Sequence, residues 1–119
     1  TRFINTKESM AEEEYKDMII NSKASDIIYT ASVSGVAANF LKPSLEAMGI
    51  TEETWSKKGK IDFGKEMDTE AKAWKTIWSA GQGVTSIKDS PSCKDLINSL
   101  KEEFTNSINE QTEMLKKYS

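Results

Sequence analysis

The feature that most limits the fold of this chain is its shortage of stretches that favour β-strands. Residues 26–34 form one such stretch, because they are rich in β-branched and aromatic residues and lack helix caps, and Gly35 is expected to end it. The opening residues 1–4 are typical of the end of a second strand. One or two strands cannot form a stable sheet by themselves. We therefore expect a mainly α-helical chain with one or two short strands that is a piece of a larger fold.

Several other stretches carry the apolar spacing and the end signals of helices. Ser9 and Glu12 have the spacing of a capping box, which predicts a first helix over residues 10–21. Pro43 suits the first turn of a second, short helix, and Gly49 suits its end. We also expect a short helix at 51–55, a loop at 57–64 and an amphipathic helix that starts near residue 68.

A long final helix is predicted to follow Ser90 as its N-cap, with Pro91 in the first turn, and to run to about Lys116. Apolar residues recur along one side of it by threes and fours: Ile97, Leu100, Phe104, Ile108 and Leu115. Cys93, near its start, has two interpretations. A helix N-terminus can lower the pKa of a thiol, but without a second cysteine or a basic neighbour we favour a small buried residue.

Composition excludes several classes of function. The 119 residues carry a net charge of -3 and contain one cysteine and no histidine, which removes Ser-His-Asp and Cys-His nucleophile systems and the commonest zinc sites. Glu12, Glu13 and Glu14 are consecutive and fan around a helix, so we predict no metal site. Scattered basic residues and short apolar runs argue against nucleic-acid and membrane partners. A single cysteine fits a reducing compartment, and we expect a cytoplasmic protein.

Small and polar residues crowd together at positions 78–86, directly after a segment patterned as a helix. Gly81 and Gly83 allow positive φ and close approach of the backbone to another group, and Gln82 offers donors and an acceptor. Such a turn can bind an anion or the polar edge of a ring. Spacing alone favours a plainer interpretation, a helix C-cap glycine followed by a turn. Likewise, Trp74 and Trp78 lie one turn apart, which favours core packing over an aromatic wall beside a cofactor.

Four short runs stand in order along the chain: Thr1-Arg2-Phe3, Thr6-Lys7-Glu8-Ser9, Tyr15-Lys16 and Trp78-Ser79-Ala80-Gly81-Gln82-Gly83. Together they resemble the C-terminal part of the nitronate monooxygenases, formerly called 2-nitropropane dioxygenases. Flavin-dependent enoyl reductases are relatives within this family. The resemblance extends from Thr1 to about Leu100, and residues from about Lys101 extend past the usual end of the family.

The resemblance implies the C-terminal piece of an FMN-binding (β/α)8 barrel together with its helical cap region. Residues 1–25 would contain the end of the last barrel strand and the following helix. Residues 26–78 would form the helical cap, and residues 79–119 the flavin-lining turn and the C-terminal helix. Thr1 would face the phosphate of FMN. The residues that would line the flavin pocket are Ser79, Ala80, Gly81 and Gln82.

The implied chemistry is the oxidation of an alkyl nitronate or nitroalkane by FMN, with dioxygen accepting the electrons. The catalytic histidine of the family lies on the barrel, upstream of Thr1. We therefore expect no catalytic residue here, an inactive segment on its own, and the N-terminal barrel portion of the same enzyme as its partner. The family often has a histidine before the matched tyrosine, where this chain has Glu12, Glu13 and Glu14, which leaves the subfamily open.

Two alternatives remain open at this stage. One is the same architecture with the chemistry of an NAD(P)H-dependent enoyl reductase. The other is a free-standing helical interaction module that binds a partner through the Trp74 and Trp78 face or through the final helix.

Overall fold

A two-stranded antiparallel sheet lies between two apolar clusters of the described residues. The computed structural model describes residues 1–57, 59 and 75–119. Strand β1, Ile27–Thr30, pairs with β2, Ala38–Leu41, so that Ile27 lies opposite Leu41. Between the strands, Gly35 takes φ 81°, a conformation that side chains other than glycine rarely adopt. The first strand was predicted, and the two-stranded sheet agrees with the expectation of one or two short strands.

Helices make up most of the rest of the described chain, as predicted for the fold class. Three 3-10 turns cover Arg2–Ile4, Ala24–Asp26 and Gln82–Ser86. The α-helices are α1, Glu13–Asn21; α2, Lys42–Ala47; α3, Glu52–Trp55; and α4, Cys93–Tyr118. Within the described residues, no helix combines the length and the apolarity needed to cross a bilayer.

The start of the chain differs from the prediction of a strand end. Residues Arg2–Ile4 form a 3-10 turn, in which the Ile4 backbone N–H donates to the Thr1 carbonyl at 3.0 Å. A turn satisfies these backbone groups locally, whereas a strand end would need a neighbouring strand. The strand prediction for residues 1–4 is therefore wrong.

The first α-helix begins three residues later than predicted. The Ser9 hydroxyl accepts a hydrogen bond from the Ala11 N–H at 3.2 Å, so it closes a local turn and does not cap a helix. Glu12 is the N-cap of α1, without a side-chain cap bond. The capping box predicted for Ser9 and Glu12 is therefore not formed.

The short second helix is confirmed. Pro43 lies in the first turn of α2, and Gly49 follows the helix with φ 76°. The short helix α3 lies within the predicted residues 51–55. Most of the predicted helix from about residue 68, including Trp74, and most of the predicted loop at 57–64 lie outside the described residues. Residues 75 and 76 are helical, but Ile77 and Trp78, which were predicted to belong to the same helix, are not.

The long helix α4 is capped by Ser92 and not by Ser90. The Ser92 hydroxyl accepts from the Asp95 backbone N–H at 3.1 Å. Pro91 lies before the helix, where its carbonyl accepts from the Lys7 N–H at 2.9 Å. Cys93, which was expected to be buried, is half-buried.

Each of the two apolar clusters takes one of two successive residues of β2. Side chains of neighbouring strand residues point to opposite faces, so Phe40 and Leu41 contribute to different clusters. The sheet cluster consists of Val33, Phe40, Leu45, Ile50 and Ile77. The junction cluster consists of Ile19, Leu41, Ala80, Val84 and Ile87. The junction cluster therefore holds α1, the sheet and the turn after Trp78 together.

Helix α4 projects away from these clusters. Leu96 is its one buried residue, and every residue from 101 onward is exposed. Polar contacts attach its first half to residues near the start of the chain. Arg2 donates to both oxygens of the Glu103 carboxylate at 2.7 and 3.0 Å, and Glu8 accepts from the Cys93 N–H at 2.9 Å. The predicted apolar side exists, but Phe104 is 69% exposed and Leu115 71%.

Candidate functional site

Two of the residues predicted to bind the flavin meet although they are far apart in sequence. The Gly81 backbone N–H donates to the Thr1 Oγ1 at 2.9 Å, across 80 positions of the chain. A Cβ atom at Gly81 would lie 3.6 Å from the same oxygen, which is ordinary van der Waals contact. The hydroxyl of Thr1 thus accepts from the turn and keeps its own proton to donate elsewhere.

The glycines of the turn do not take the positive φ that their presence suggested. Gly81 has φ -91° and ψ 168° and is the N-cap of the 3-10 turn Gln82–Ser86. Positive φ occurs at other described glycines, and not at Gly81 or Gly83. The plainer prediction of a C-cap glycine is also wrong, because Gly81 is extended and starts a turn instead of ending a helix.

The side chains of the turn divide between the surface and the core. Ser79 and Gln82 are exposed, and Gly81 is half-buried. Ala80 is only 7% exposed and packs in the junction cluster. Ala80 therefore anchors the turn with its methyl group, and only its backbone can face a ligand.

Two backbone donors of the turn are available. Within the described part of the chain, the N–H groups of Gln82 and Gly83 donate to no protein group, whereas the Val84 N–H donates to the Gly81 carbonyl at 3.2 Å. A Cβ atom at Gly83 would meet nothing within 4 Å, so the space beside it is open. We refer to these two donors, together with the exposed Ser79 and Gln82 side chains and the Thr1 hydroxyl bonded to Gly81, as the polar surface around Gly81.

Tyr15 on α1 contacts this turn and the residue before it, a role that sequence reasoning did not assign. Its hydroxyl donates to the Ser79 carbonyl, and its ring stacks on Trp78 with centroids 5.0 Å apart and an interplanar angle of 16°. Burial raises the pKa of Tyr15, so the phenol stays a hydrogen-bond donor at neutral pH. The sequence signal was limited to its helical spacing and its place in a matching run.

The backbone of Trp78 is fixed by β2 and α2. Its carbonyl accepts from the Leu41 N–H at 2.8 Å, and its N–H donates to the buried Ser44 hydroxyl at 3.0 Å. The same hydroxyl donates to the Leu41 carbonyl at 2.7 Å. Ser44 was predicted only as a helix residue, so this anchoring role could not be read from the sequence.

A small cavity of about 90 Å³ lies on the other side of the 3-10 turn at the chain start. Asn5, which is 1% exposed, lines it and donates to the Lys16 carbonyl at 2.9 Å, but its Oδ1 has no partner among the described residues. Sites for cofactors usually measure about 300–1,000 Å³, so this cavity is too small for a flavin. In the described residues, no group of three His, Cys, Asp or Glu residues could hold a metal.

A comparison with protein-family profiles shows the family to which the chain belongs. The profile of the nitronate monooxygenase family matches residues 1–103. The chain belongs to the nitronate monooxygenase family. This is a family of flavin-dependent oxidoreductases, so membership favours a segment of an enzyme over a free-standing interaction module.

Solved structures agree on the fold. FabK from Thermotoga maritima matches with a TM-score of 0.65 and 19% identity, over 93% of this chain and 37% of that chain. A single-substitution mutant of the same protein matches with a TM-score of 0.61 and 20% identity, over 94% and 34%. The chain therefore spans about a third of the length of these structures, and its fold corresponds to part of such a barrel. None of the curated proteins compared with the chain matches it.

Proposed function

We propose that this chain is part of an FMN-dependent oxidoreductase that oxidises alkyl nitronates with dioxygen, and that it contributes flavin-pocket lining and cap. The observation that carries the proposal is the hydrogen bond between Thr1 and Gly81, because it joins the two segments that resemble the flavin site of the family. Membership in the nitronate monooxygenase family supports the same reading.

The polar surface around Gly81 fits a flavin in its donor chemistry. A phosphate or the polar edge of an isoalloxazine ring accepts hydrogen bonds, and the surface offers backbone N–H groups at Gln82 and Gly83 and the hydroxyl of Thr1. The open space beside Gly83 leaves room for close approach. The cofactor would be held by Thr1 and by the turn Ser79, Ala80, Gly81 and Gln82.

When bound, FMN would supply the redox chemistry, and the residues of this chain bind and orient it. The donors at Gln82 and Gly83 stabilise negative charge, and Ala80 and Val84 fix the turn through the junction cluster. We propose that residues 26–78 act as the cap and that the enzyme works in the cytoplasm on a small nitronate or nitroalkane.

A second candidate is NAD(P)H-dependent enoyl reduction on the same fold, because the family includes flavin-dependent enoyl reductases as relatives. The two activities share the barrel and the flavin but differ in the electron donor. Oxidation of NAD(P)H would therefore separate them.

The test uses the protein expressed with all of the sequence that its gene encodes. Its visible spectrum should show flavin bands, and mass spectrometry of the released cofactor should identify FMN. Consumption of dioxygen with an alkyl nitronate, without NAD(P)H, is the expected activity. Oxidation of NAD(P)H dependent on an enoyl thioester would replace the proposal with the second candidate.

A variant connects this activity to the turn. Gln82→Ala removes an exposed amide beside the proposed flavin and should weaken FMN retention. Gln111→Ala makes the same change on α4, far along the chain, and should leave FMN retention unchanged. Equal flavin content in both variants would remove Gln82 from the assigned site.

A further inference from the structure

The turn that carries the exposed donors is held by contacts from three directions. Thr1 binds its Gly81 N–H, Ala80 and Val84 anchor it in the junction cluster, and Tyr15 binds its Ser79 carbonyl. The contact from Tyr15 is made by a side-chain hydroxyl on α1. It therefore links the position of α1 to the position of the turn.

We propose that Tyr15 is a positioning residue for the cofactor, whose hydroxyl fixes the Ser79 carbonyl and thereby aims the backbone N–H groups of Gln82 and Gly83 outward. This inference rests on the proposed function, because it assigns a role within the same flavin site. Each peptide unit is planar, so a fixed carbonyl at Ser79 also fixes the N–H of Ala80. The buried Ala80 methyl and the Gly81 N–H bonded to Thr1 hold the next units, which lead to Gln82 and Gly83.

The aromatic pair makes this contact stiff. The Tyr15 ring is stacked at 16° on Trp78, the residue just before Ser79, and both ends of the Trp78 backbone are bonded to β2 and α2. The Trp78 Nε1 donates to the Lys75 carbonyl at 3.0 Å, which fixes the indole as well. With the ring held in this way, its hydroxyl has little freedom to leave the Ser79 carbonyl.

Tyr15→Phe removes the hydroxyl and keeps the stacked ring. In the protein expressed with all of the sequence that its gene encodes, the Kd for FMN should rise about three- to tenfold, as expected for one lost neutral hydrogen bond. The visible circular dichroism of the bound flavin should also change, because the ring would sit in a differently oriented surface. A role limited to stability would lower the unfolding temperature without moving either quantity.

Tyr29→Phe is the matched control. It makes the same chemical change at a tyrosine that is 74% exposed on β1. The Kd of this variant for FMN should stay within about twofold of that of the unchanged protein.

The outcomes separate the two levels of the proposal. If the unchanged protein binds no FMN, the proposed function fails, and this inference fails with it. If it binds FMN and Tyr15→Phe matches Tyr29→Phe in both Kd and dichroism, the positioning role alone is overturned.

A second form of the experiment applies if Tyr15→Phe does not fold. Site-specific 3-fluorotyrosine at position 15 keeps the ring and makes the hydroxyl a stronger donor. The Kd for FMN should then fall, and an unchanged Kd would overturn the inference.

Discussion

The junction around Gly81 is stabilised by contacts between residues distant in sequence, whereas the outer part of α4 is stabilised by contacts between near neighbours. At the junction, hydrogen bonds join residues 80 and 64 positions apart, at Thr1 with Gly81 and at Tyr15 with Ser79. Beyond Glu103, every residue of α4 is exposed, and its side-chain bonds join residues three or four positions apart. The first region is fixed by tertiary contacts, and the second by the helix itself. Substitutions should therefore affect folding and ligand binding at the junction and have only local effects in the outer helix.

The largest effect is expected at Leu41, which is fully buried in the junction cluster. Leu41→Ala should lower the free energy of unfolding by about 2–5 kcal/mol, because it removes apolar contacts and leaves a cavity. Denaturant titration followed by circular dichroism measures this. Leu41→Met conserves volume and should cost less than about 1.5 kcal/mol. Similar small losses in both variants would show that the junction cluster is not tightly packed.

A smaller effect, specific to the ligand, is expected at Gly81. Its φ of -91° is open to other residues, and a Cβ would sit 3.6 Å from the Thr1 hydroxyl. Gly81→Ala should therefore keep FMN binding. Gly81→Val adds branched methyl groups against Thr1 and should raise the Kd for FMN about tenfold, measured by flavin fluorescence. If valine and alanine bind FMN equally well, contact between Thr1 and Gly81 does not shape the site.

The attachment of α4 should weaken in acid. The Cys93 backbone N–H lowers the pKa of Glu8, and the Arg2 guanidinium lowers the pKa of Glu103, both from the usual 4.5. A lowered pKa in the folded state means that these contacts stabilise above pH 4.5 and are lost as the pH falls through the folded values. Thermal unfolding between pH 6 and pH 3 should therefore show a stability that declines below about pH 4.5.

The double variant Glu8→Gln with Glu103→Gln tests the origin of this decline. It should flatten the pH dependence below pH 4.5, because neither group can then titrate. Glu102→Gln with Glu110→Gln also removes two carboxylates from the protein and should keep the decline. A slope that stays unchanged in the first pair would place its cause in other carboxylates.

The smallest effect is expected in the outer helix. Leu115 is 71% exposed, so Leu115→Ala should change the free energy of unfolding by no more than about 0.5 kcal/mol. Alanine also has a slightly higher helix propensity than leucine, which offsets lost contacts. A decrease in the free energy of unfolding of more than about 2 kcal/mol, measured by denaturant titration, would mean that this side chain is packed in solution. Leu115 and the buried Leu41 would then not differ as the structure indicates.

Local signals in the sequence predicted local structure well. Pro43 and Gly49 bound α2 because a fixed φ and a positive φ act within one turn of the chain. The β-branched residues after Asp26 gave β1. The family resemblance, carried by short runs of residues, is confirmed by the family profile over residues 1–103.

Several errors arose where a distant group decided the outcome, whereas the predictions for residues 1–4 and for the capping box of Ser9 and Glu12 were overturned by local turns. Ser90 and Ser92 are both adjacent to Pro91 and suited to capping, but the Pro91 carbonyl is bound to Lys7, and the helix starts after it. The spacing of Ser92 and Asp95 was the available signal for the true cap. Glu8 could not be predicted to accept from the Cys93 N–H, because 85 residues separate them.

In the candidate site, too, the sequence indicated some residues but not the contacts between distant ones. Gly81 and Gln82 were singled out by composition and by resemblance, and their assignment to a flavin stays a prediction. The role of Tyr15 depends on the Ser79 carbonyl, which is 64 positions away. The role of Ser44 depends on the Trp78 N–H, which is 34 positions away. A pattern of side chains along one helix contains no information on such backbone partners.

The hydroxyl of Ser44 has a consequence for how such proteins can diverge. It is buried, and it receives the Trp78 N–H at 3.0 Å, so the chain that leaves α2 is brought back to the same point 34 residues later. The cost of closing a longer excursion grows slowly, by about 0.6 kcal/mol for each doubling of its length. An insertion between these two residues would therefore weaken the anchoring of the turn after Trp78 only slowly as its length grows.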